Sequence, residues 1–405
     1  MKDRIAKAFR MAALTLAAIA SPAALAASLT EDEALRLALA RPELADLDRA
    51  RIGEAEADAI EAGLWSNPSL EYSRDETGAT RETQWQLSQP LDFSGRRRLR
   101  RKAANLRIDA AEAGNQTRRG ERAAEVRRAF HQTLLQRETL RVVDAWAGRF
   151  AVIGGVVDKL ARAGEASGYD RRRLERERQA AEARLAEAKA GLERSRARLA
   201  ALTGQEDGAE PDGRLLPDAP PDPAVLLGLL AQRPDLAALS VQALAADADN
   251  AASRRQFPEI SLGIGGKEVE DGASRQSGTL LSLSMPLPLF DRRQGDQRRS
   301  AARAMAARAE HALALQQTEG ELLGLHRQST QLIQAAGRYR REAVAPSADL
   351  LRIAEAAYRA GESNILELLD AYKGAMEAEI TALDLEWKAR DACIELDQLT
   401  GNHPQ

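Results

Sequence analysis

Two pairs of short segments alternate apolar and polar residues with a period of two. This alternation is typical of β-strands with one face buried, and the turn residues between the members of each pair, such as Gly78, are typical of hairpins. The sequence therefore predicts two β-hairpins. Their strands are predicted at 69–74 and 82–91 in the first pair and at 259–265 and 278–287 in the second.

A long stretch of helical composition follows each hairpin. No proline occurs between Leu91 and Glu210, and the run 96–162 contains 67 residues. An α-helix of that length spans roughly 100 Å. The chain is predicted to turn at Gly164 and Gly168 and to return along 169–203. Leucines spaced by seven residues predict a seam packed against neighbouring helices; they are Leu185, Leu192 and Leu199.

The order of elements is duplicated along the chain. Each half predicts a helix, a hairpin and a long helical hairpin, so the fold class is mainly α with a small β part. The predicted boundaries are 27–206 for the first repeat, 207–223 for a linker rich in Pro, Gly and Asp, and 224–405 for the second repeat. The first helix is predicted at 29–64, capped by Thr30. Matching segments are Arg41–Leu44 with Arg233–Leu236, Arg162–Glu165 with Arg359–Glu362, and Leu202–Gly204 with Leu399–Gly401.

Composition fits helices that pack along their length rather than ordinary globular cores. Aromatic residues make up 4% of the chain, charged residues 29% and hydrophobic residues 44%, a balance typical of long helices. With 58 basic and 61 acidic residues, the chain lacks the basic footprint of a nucleic-acid-binding protein. The four histidines and the single cysteine, Cys393, form no metal-ligand or nucleophile pattern. We therefore expect no enzyme, no cofactor and no metal site, and we expect Cys393 to be a packed thiol.

The first 26 residues predict a signal peptide. Four basic residues in the first ten positions precede an apolar run at 11–20, and small residues follow at Ala24–Ala26, which is the order that a signal peptidase reads. The alternative is a short N-terminal helix of the mature fold. No later segment has the length of apolar sequence that a membrane-spanning helix requires, so export without a helical anchor is expected.

Four strands per chain leave two open sheet edges, which a secreted protein must pair or cover. The longer predicted strands have about ten residues, the length of a tilted strand that crosses a bilayer. Membrane barrels need about eight strands or more, so a membrane location requires several chains to share one barrel. The alternative is a small soluble β-subdomain at one end of a helical rod.

Several segments, taken together and in order, resemble the TolC-like outer-membrane efflux channels, in particular the branch that serves heavy-metal (cobalt–zinc–cadmium type) resistance. The resemblance implies a homotrimer with one twelve-stranded β-barrel in the outer membrane and an α-helical tunnel through the periplasm of a Gram-negative cell. Many members of that branch carry an acylated cysteine after the cleavage site, which this chain lacks. The segments are Ala40–Leu44, Trp65–Pro68, Ser88–Arg97, Met285–Gly295 and Tyr358–Ala371.

The helical reversals are the places where the resemblance implies docking of a periplasmic adaptor protein. Glycine allows a reversal because a left-handed backbone costs little only at glycine. The expected contacts are the backbone and the polar side chains around each glycine, and the alternative is a plain turn between helices. The predicted docking residues are Arg162, Gly164, Glu165 and Ser167 in the first repeat and Arg359, Gly361, Glu362, Ser363 and Asn364 in the second.

Two carboxylates follow the second reversal. Glu367 and Asp370 are three residues apart on one predicted helix, so they share a face. In a trimer they would form carboxylate rings at the tunnel mouth, and such rings favour cations. The resemblance implies that these positions line a closed periplasmic aperture. The matching positions in the first repeat are Asp170 and Arg173, and Asp370 is predicted to pair with Arg173. The alternative is a solvated acidic face.

The predicted function is a passive exit duct of a tripartite efflux system. An inner-membrane, proton-driven pump of the RND type would supply the energy, and the adaptor would join the pump to the duct. Heavy-metal cations are the expected cargo, although the pump selects the cargo and the sequence does not identify the metal. One alternative is the same fold serving drug efflux or type I protein secretion. Another, from a different class, is a periplasmic coiled-coil adaptor or structural rod.

Overall fold

A computed structural model describes residues 28–164, 167–205, 210–272 and 274–401. The predicted signal peptide lies outside the described residues. The described chain is mainly helical with two β-hairpins, and each repeat follows the predicted order of elements.

The first repeat opens with two helices where one was predicted. Thr30 caps the first helix by accepting a hydrogen bond from the backbone N–H of Glu33 at 3.3 Å. The break falls at Pro42, because proline disfavours a helical backbone in the residue before it, and Arg41 is accordingly extended. The predicted continuous helix at 29–64 is therefore wrong. The elements of this repeat are β1 (Ser28–Leu29), α1 (Glu31–Leu39), α2 (Pro42–Gly63), β2 (Ser69–Thr77), β3 (Thr80–Leu91), α3 (Arg96–Ala163) and α4 (Gly168–Thr203).

The long helix α3 contains 68 residues, which agrees with the predicted run to within one residue. It begins after Gly95 and ends at Gly164, both in the left-handed backbone region. In α4 the predicted leucine seam is present: Leu192 and Leu199 are buried, and Leu185 is half-buried.

The second repeat differs from the first in its long helix. A π-helical turn, Arg340–Val344, interrupts the run before Pro346. Proline cannot donate a backbone hydrogen bond and its ring crowds the preceding turn, so the wider turn accommodates it. The hydroxyl of Ser347 donates to the carbonyl of Ala343 at 2.7 Å. The elements after α4 are β4 (Glu210–Pro211), α5 (Pro223–Leu229), a 3₁₀ turn (Leu230–Gln232), α6 (Pro234–Ser253), β5 (Ile260–Asp271), β6 (Ser274–Ser284), α7 (Gln294–Tyr339), α8 (Ala345–Ala360) and α9 (Ile365–Thr400).

The two hairpins join into one antiparallel sheet with the order β2-β3-β5-β6. All four strands extend further toward the hairpin tips than predicted, because Thr77 pairs with Thr80 and Asp271 pairs with Ser274. At the other end β6 stops at Ser284, before the predicted 287, since Pro286 has no N–H to donate. The outer strands β2 and β6 each have one edge without a partner in the described chain.

The sheet has one apolar and one polar face over the half that adjoins the helices. The apolar face is exposed in the protomer: Leu70 is 72% exposed and Leu281 is 77% exposed. The register places Leu70, Leu87, Ile264 and Leu281 in one row across the sheet. The adjacent row on the opposite face contains Ser69, Ser88, Gly263 and Ser282.

A side-chain amide joins β3 to β6 across β5 on the polar face. Gln86 on β3 donates to the hydroxyl of Ser88 at 2.8 Å and to that of Ser282 on β6 at 2.7 Å. It crosses Gly263 of β5, where an added Cβ would lie 2.6 Å from the amide nitrogen. The absence of a side chain at Gly263 therefore makes room for this bridge.

A cluster of buried charges joins both repeats to the N-terminal helix; we call it the Arg127 cluster, and its members are Glu31, Arg127, His131 and Asp397. Arg127, with its side chain 8% exposed, pairs with Glu31 and, at 2.8 Å, with Asp397 on α9. His131 contacts the Glu31 carboxylate at 2.8 Å. Burial lowers the pKa of His131, and the hydrogen bond to Glu31 opposes this effect.

Two short features complete the fold. β1 and β4 form a two-stranded parallel sheet that attaches the linker to the residues just before α1. Cys393 is buried, as expected, and burial raises the pKa of its thiol to about 11. In the described part of the chain no single helix has both the length and the apolar character to cross a membrane; one bent pair, α5 with its 3₁₀ turn and α6, passes by length and composition alone.

Candidate functional site at the helix tips

The two helical reversals are built in the same way. α3 ends at Gly164 with φ +81°, and α4 is capped by Ser167; α8 ends at Gly361 with φ +74°, and α9 is capped by Asn364. In both repeats the capping side chain follows the left-handed glycine by three residues. The predicted reversals are therefore present at the predicted positions, and we call them the first tip and the second tip.

At the first tip Asp170 completes the cap. Ser167 accepts a hydrogen bond from the backbone N–H of Asp170 at 3.1 Å, and the backbone N–H of Ser167 donates to the Asp170 carboxylate at 3.2 Å. The Ser167 hydroxyl also donates to that carboxylate at 2.7 Å. A carboxylate at a helix start is favoured by the helix dipole. Asp170, predicted as a gate residue, thus has a structural role in the protomer.

Glu367 occupies the same place at the second tip. Its backbone N–H donates to the side-chain oxygen of Asn364 at 3.1 Å, and the Asn364 amide donates to its carboxylate at 3.2 Å. The preceding loop is held by the backbone N–H groups of Glu362 and Ser363, which both donate to the carbonyl of Ala357. Both tips are therefore short and internally hydrogen-bonded.

The predicted docking arginines project from the tips. Arg162 is exposed and donates from Nε to the backbone carbonyl of Asp158 at 3.2 Å. Arg359 is 66% exposed and lies 3.5 Å from Glu355. The hydroxyl of Ser363 is buried and has no hydrogen-bond partner within the described ranges. Glu165 lies outside the described residues.

The predicted gate residues lie on two helices, α4 and α9, just behind the tips. Asp370 and Glu367 are exposed on α9. Arg173 donates to the hydroxyl of Tyr169 at 3.4 Å. Between described residues of one protomer, Asp370 and Arg173 form no ion pair. Their predicted pairing stays a prediction for another conformation or for contacts between copies.

Sequence reasoning missed the aromatic group behind the tips. Tyr372 on α9 packs edge-on against Trp146 and at a tilt against Phe150 of α3, with ring centres 5.6 Å apart in both cases. Its hydroxyl donates to Glu355 of α8 at 2.5 Å. Burial, followed by the hydrogen bond to Glu355, raises the pKa of Tyr372. This residue therefore connects three helices. The signal in the sequence that could have indicated this contact is a single tyrosine in an alanine-rich helix.

A buried carboxylate between α4 and α9 was also missed. Glu177, with its side chain 7% exposed, pairs with Lys373 at 2.7 Å and with Arg176 at 2.8 Å. Burial raises its pKa, but the hydrogen bonds and charges of Lys373 and Arg176 outweigh that effect and leave the pKa below its usual value. The pair joins the first repeat to the second just behind the tips.

The described residues of the tips expose mainly polar and charged side chains. Hydrogen-bonded caps, exposed arginines and exposed carboxylates can bind a partner, and none of them forms a nucleophile–base arrangement. Within the described ranges no group of three or more His, Cys, Asp or Glu side chains is arranged to hold a metal ion.

Comparison with known proteins gives consistent matches over nearly the whole chain. The family described as outer membrane efflux protein matches residues 35–205 and 226–402. The cobalt-zinc-cadmium resistance protein CzcC of Cupriavidus metallidurans is 27% identical over 388 residues, which cover 94% of this chain and 92% of that protein. The nickel-cobalt-cadmium resistance protein NccC of Alcaligenes xylosoxydans xylosoxydans is 26% identical over 277 residues, or 64% of this chain and 61% of that protein.

A solved structure shares the fold. The outer membrane protein VceC of Vibrio cholerae superposes with a TM-score of 0.76 at 19% sequence identity, and the match covers 92% of this chain and 96% of that one. The likeness extends over the sheet and the long helices together, since both repeats fall within it. The chain therefore belongs to the outer membrane efflux protein family, and it is an efflux channel of the outer membrane and not an enzyme.

Proposed function

We propose that three copies of this chain close into one trimeric duct that conducts heavy-metal cations out of the cell. In this proposal a proton-driven pump of the inner membrane supplies the energy and a periplasmic adaptor joins it to the tips. The observation that carries the proposal is the sheet, which has an exposed apolar face, a polar face and two unpaired edges.

The sheet supports closure between copies. The apolar row that contains Leu70 and Leu281 is exposed on one face, and the serine row lies on the other. A lipid-facing outside and a water-facing inside need this division. Three copies of a four-stranded sheet give twelve strands, and pairing β6 of one copy with β2 of the next leaves no edge open.

The tips suit an adaptor. The helix starts at both tips are held by cap hydrogen bonds, so a partner would meet pre-ordered helix starts, which lowers the entropic cost of binding. Exposed Arg162 and Arg359 and the backbone around Gly164 and Gly361 would provide the contacts. Glu362, Ser363 and Asn364 complete the second docking surface, and Ser167 together with Glu165 completes the first.

The gate is proposed to involve the exposed acids behind the second tip. Glu367 and Asp370 of three copies would form two rings of carboxylates, which attract divalent cations. Pairing of Asp370 with Arg173 would hold the aperture closed, with Asp170 next to it on α4. The resistance functions in the names of CzcC and NccC support cobalt, zinc, cadmium or nickel as the cargo class.

Cross-linking between sheet edges tests the trimer. Tyr72→Cys on β2 and Thr279→Cys on β6 would be combined in a Cys393→Ala background and treated with a flexible bis-maleimide. We expect covalent dimers and trimers in outer-membrane fractions. Tyr72→Cys alone is the control, since it cannot propagate a chain of links. A protein that stays monomeric and periplasmic would support the structural-rod alternative.

Conductance in planar lipid films tests the gate. Charge reversal with Asp370→Arg should raise the current, and combining it with Arg173→Glu should restore the wild-type level. Asp384→Arg is the matched control, because Asp384 is exposed on the same helix and paired with Lys388. Unchanged current with Asp370→Arg would contradict the gate.

Survival of a deletion strain tests the cargo and the docking surface. Loss of resistance to zinc, cobalt, cadmium or nickel, with unchanged resistance to a drug panel, is the expected result. The reverse pattern would support the drug-efflux alternative. Arg162→Glu with Arg359→Glu should fail to restore resistance while keeping wild-type conductance, which separates docking from conduction.

A further inference from the structure

A large cavity lies where the two repeats meet beside the sheet. Its volume is about 820 Å³, it is partly open to solvent, and residues of α2, the N-terminal third of α3, α6 and the first turns of α7 line it. Eight arginines and two aspartates line it. The strong excess of positive side chains in a confined space needs an explanation that the efflux function does not provide.

The two aspartates are already used. Asp249 pairs with Arg107, and Asp296 pairs with Arg299 at 3.0 Å. Arg96, Arg293 and Arg303 also line the cavity and form no ion pair with any described residue. The cavity therefore holds guanidinium groups from both repeats that have no carboxylate partner.

Arg96 is buried as well as unpaired. The residue is 7% exposed, and its Nε donates to the hydroxyl of Ser94 at 3.0 Å. Arginine side chains with this little exposure are usually paired with an anion, and no described carboxylate forms an ion pair with Arg96. An anion inside the cavity would supply the missing counter-charge.

Arg293 is held at the cavity in an unfavourable backbone conformation. It has φ +59°, and it occupies the capping position of α7 that Gly95, with φ +74°, occupies at α3. No other non-glycine residue in the described part of the chain has a positive φ. The left-handed region disfavours L-residues other than glycine, so a gain from the arginine side chain is expected to offset this strain.

We propose that this cavity binds a phosphate-type oxyanion through Arg96, Arg293 and Arg303. The planar guanidinium group matches the oxygens of phosphate and binds them in bidentate fashion. The volume accommodates more than one phosphate group, as in a pyrophosphate or the headgroup of an anionic phospholipid. The proposal concerns a site distinct from the tips and does not depend on the identity of the transported cargo.

The full-length protein in detergent tests the free-anion source. Titration with inorganic phosphate and pyrophosphate by calorimetry should give saturable binding. Arg303→Gln, at an exposed position, should weaken it by about tenfold, since one charge-assisted pair contributes roughly that much. The matched control is Arg352→Gln, an exposed arginine paired with Asp349 on α8 far from the cavity. It should leave the affinity unchanged.

Arg293→Gly separates a binding role from a structural one. Glycine relieves the strained backbone, so the thermal midpoint should stay level or rise while the affinity falls by about tenfold. A structural role would instead lower the midpoint and leave the affinity of the folded fraction unchanged, which would overturn the assignment.

Native mass spectrometry from nanodiscs tests the lipid source. Nanodiscs of phosphatidylcholine with phosphatidylglycerol should yield protein that retains the anionic lipid, and Arg303→Gln should lose it. Retention of the lipid without free-phosphate binding identifies a headgroup site, and saturable phosphate binding alone identifies a solute site. Absence of both in the wild-type protein, or an equal loss with Arg352→Gln, would overturn the proposal.

Discussion

The long helices of the two repeats have nearly the same length but differ in continuity. α3 runs through 68 residues without a break. The corresponding run in the second repeat is divided by the π-helical turn Arg340–Val344, just before Pro346. Duplication therefore preserved the architecture while one copy acquired an interruption behind its tip. The first tip is therefore carried by an unbroken helix, and the second tip by a helix with a π-helical turn behind it.

The two helices also differ in how they use buried charge. The first repeat concentrates it in the Arg127 cluster, where Arg127 has two carboxylate partners and a side-chain exposure of 8%. The second places Arg340 of the π-helical turn against Glu386 of α9 at 2.7 Å, with the arginine 40% exposed. The first is a buried attachment between both repeats, and the second is a half-exposed contact at the break.

The largest expected effect comes from breaking the buried attachment. Arg127→Gln leaves the Glu31 and Asp397 carboxylates without their shared cation, and such losses cost about 3–5 kcal/mol. Arg340→Gln should cost less, about 1–2 kcal/mol, because Arg340 is 40% exposed and water screens its charge, while the buried Glu386 carboxylate loses one partner. Chemical denaturation of the purified protein would measure both. Equal losses for the two variants would remove the contrast between the repeats.

Exchanging the proline between repeats comes next. Arg149→Pro places a proline in α3 at the position that matches Pro346, and it should cost about 3 kcal/mol because α3 has no π-helical turn to accommodate it. Arg149→Ala is the control for the lost contact between Arg149 and the Trp146 ring. Pro346→Ala should be tolerated or stabilising. A tolerated Arg149→Pro would show that the break needs no prepared turn.

Acid should loosen the Arg127 cluster. Burial raises the pKa of Glu31, but the His131 hydrogen bond and the charges of His131 and Arg127 prevail and lower it from 4.5 to about 2. A lowered folded pKa gives stability that is present above pH 4.5 and is lost as the pH falls toward 2, by about 2–3 kcal/mol. His131, whose pKa is also lowered, adds a loss that begins below pH 6.5.

The pH dependence of the unfolding free energy measures this effect, with Glu31→Gln as the comparison variant. The variant should be less stable at neutral pH and should lose less on acidification below pH 4.5. Identical slopes for the two proteins would assign the acid sensitivity to other groups.

The smallest expected effect concerns the tip glycines. Gly164→Ala and Gly361→Ala each place a side chain in the left-handed region, at a cost of about 1 kcal/mol. Apart from the chain neighbours, no atom of the described residues lies within 4 Å of the added Cβ at either position, so backbone strain accounts for the expected cost. Thermal unfolding would compare the two. A clearly larger loss at Gly361 would indicate that the broken helix makes the second tip less tolerant.

Much of the architecture follows from local signals in the sequence. The left-handed glycines and the capping residues three positions later define both tips, and the absence of proline between residues 91 and 210 predicts the length of α3. Period-two alternation locates both hairpins. These features are local, so the sequence contains them directly.

The features that the sequence did not reveal depend on contacts between distant segments. Tyr372 binds Glu355, and Glu177 binds Lys373 of the other repeat. Neither contact produces a periodic pattern in the sequence. The break at Pro42 was overlooked because the surrounding residues favour a helix. Arg96 illustrates the same point: a run of basic residues at a helix start suggests a solvated surface, yet this member is buried.

The amide bridge of Gln86 has a consequence for biogenesis. By joining the inner strand β3 to the outer strand β6 across Gly263 of β5, it helps to fix the alignment of these three strands before any second copy arrives. A shift by one residue would turn the serine and glutamine rows toward hydrocarbon, where they find no water. In the proposed trimer, misalignment is thus restricted to the contacts between β6 of one copy and β2 of the next. The strands within each copy are aligned before the copies meet.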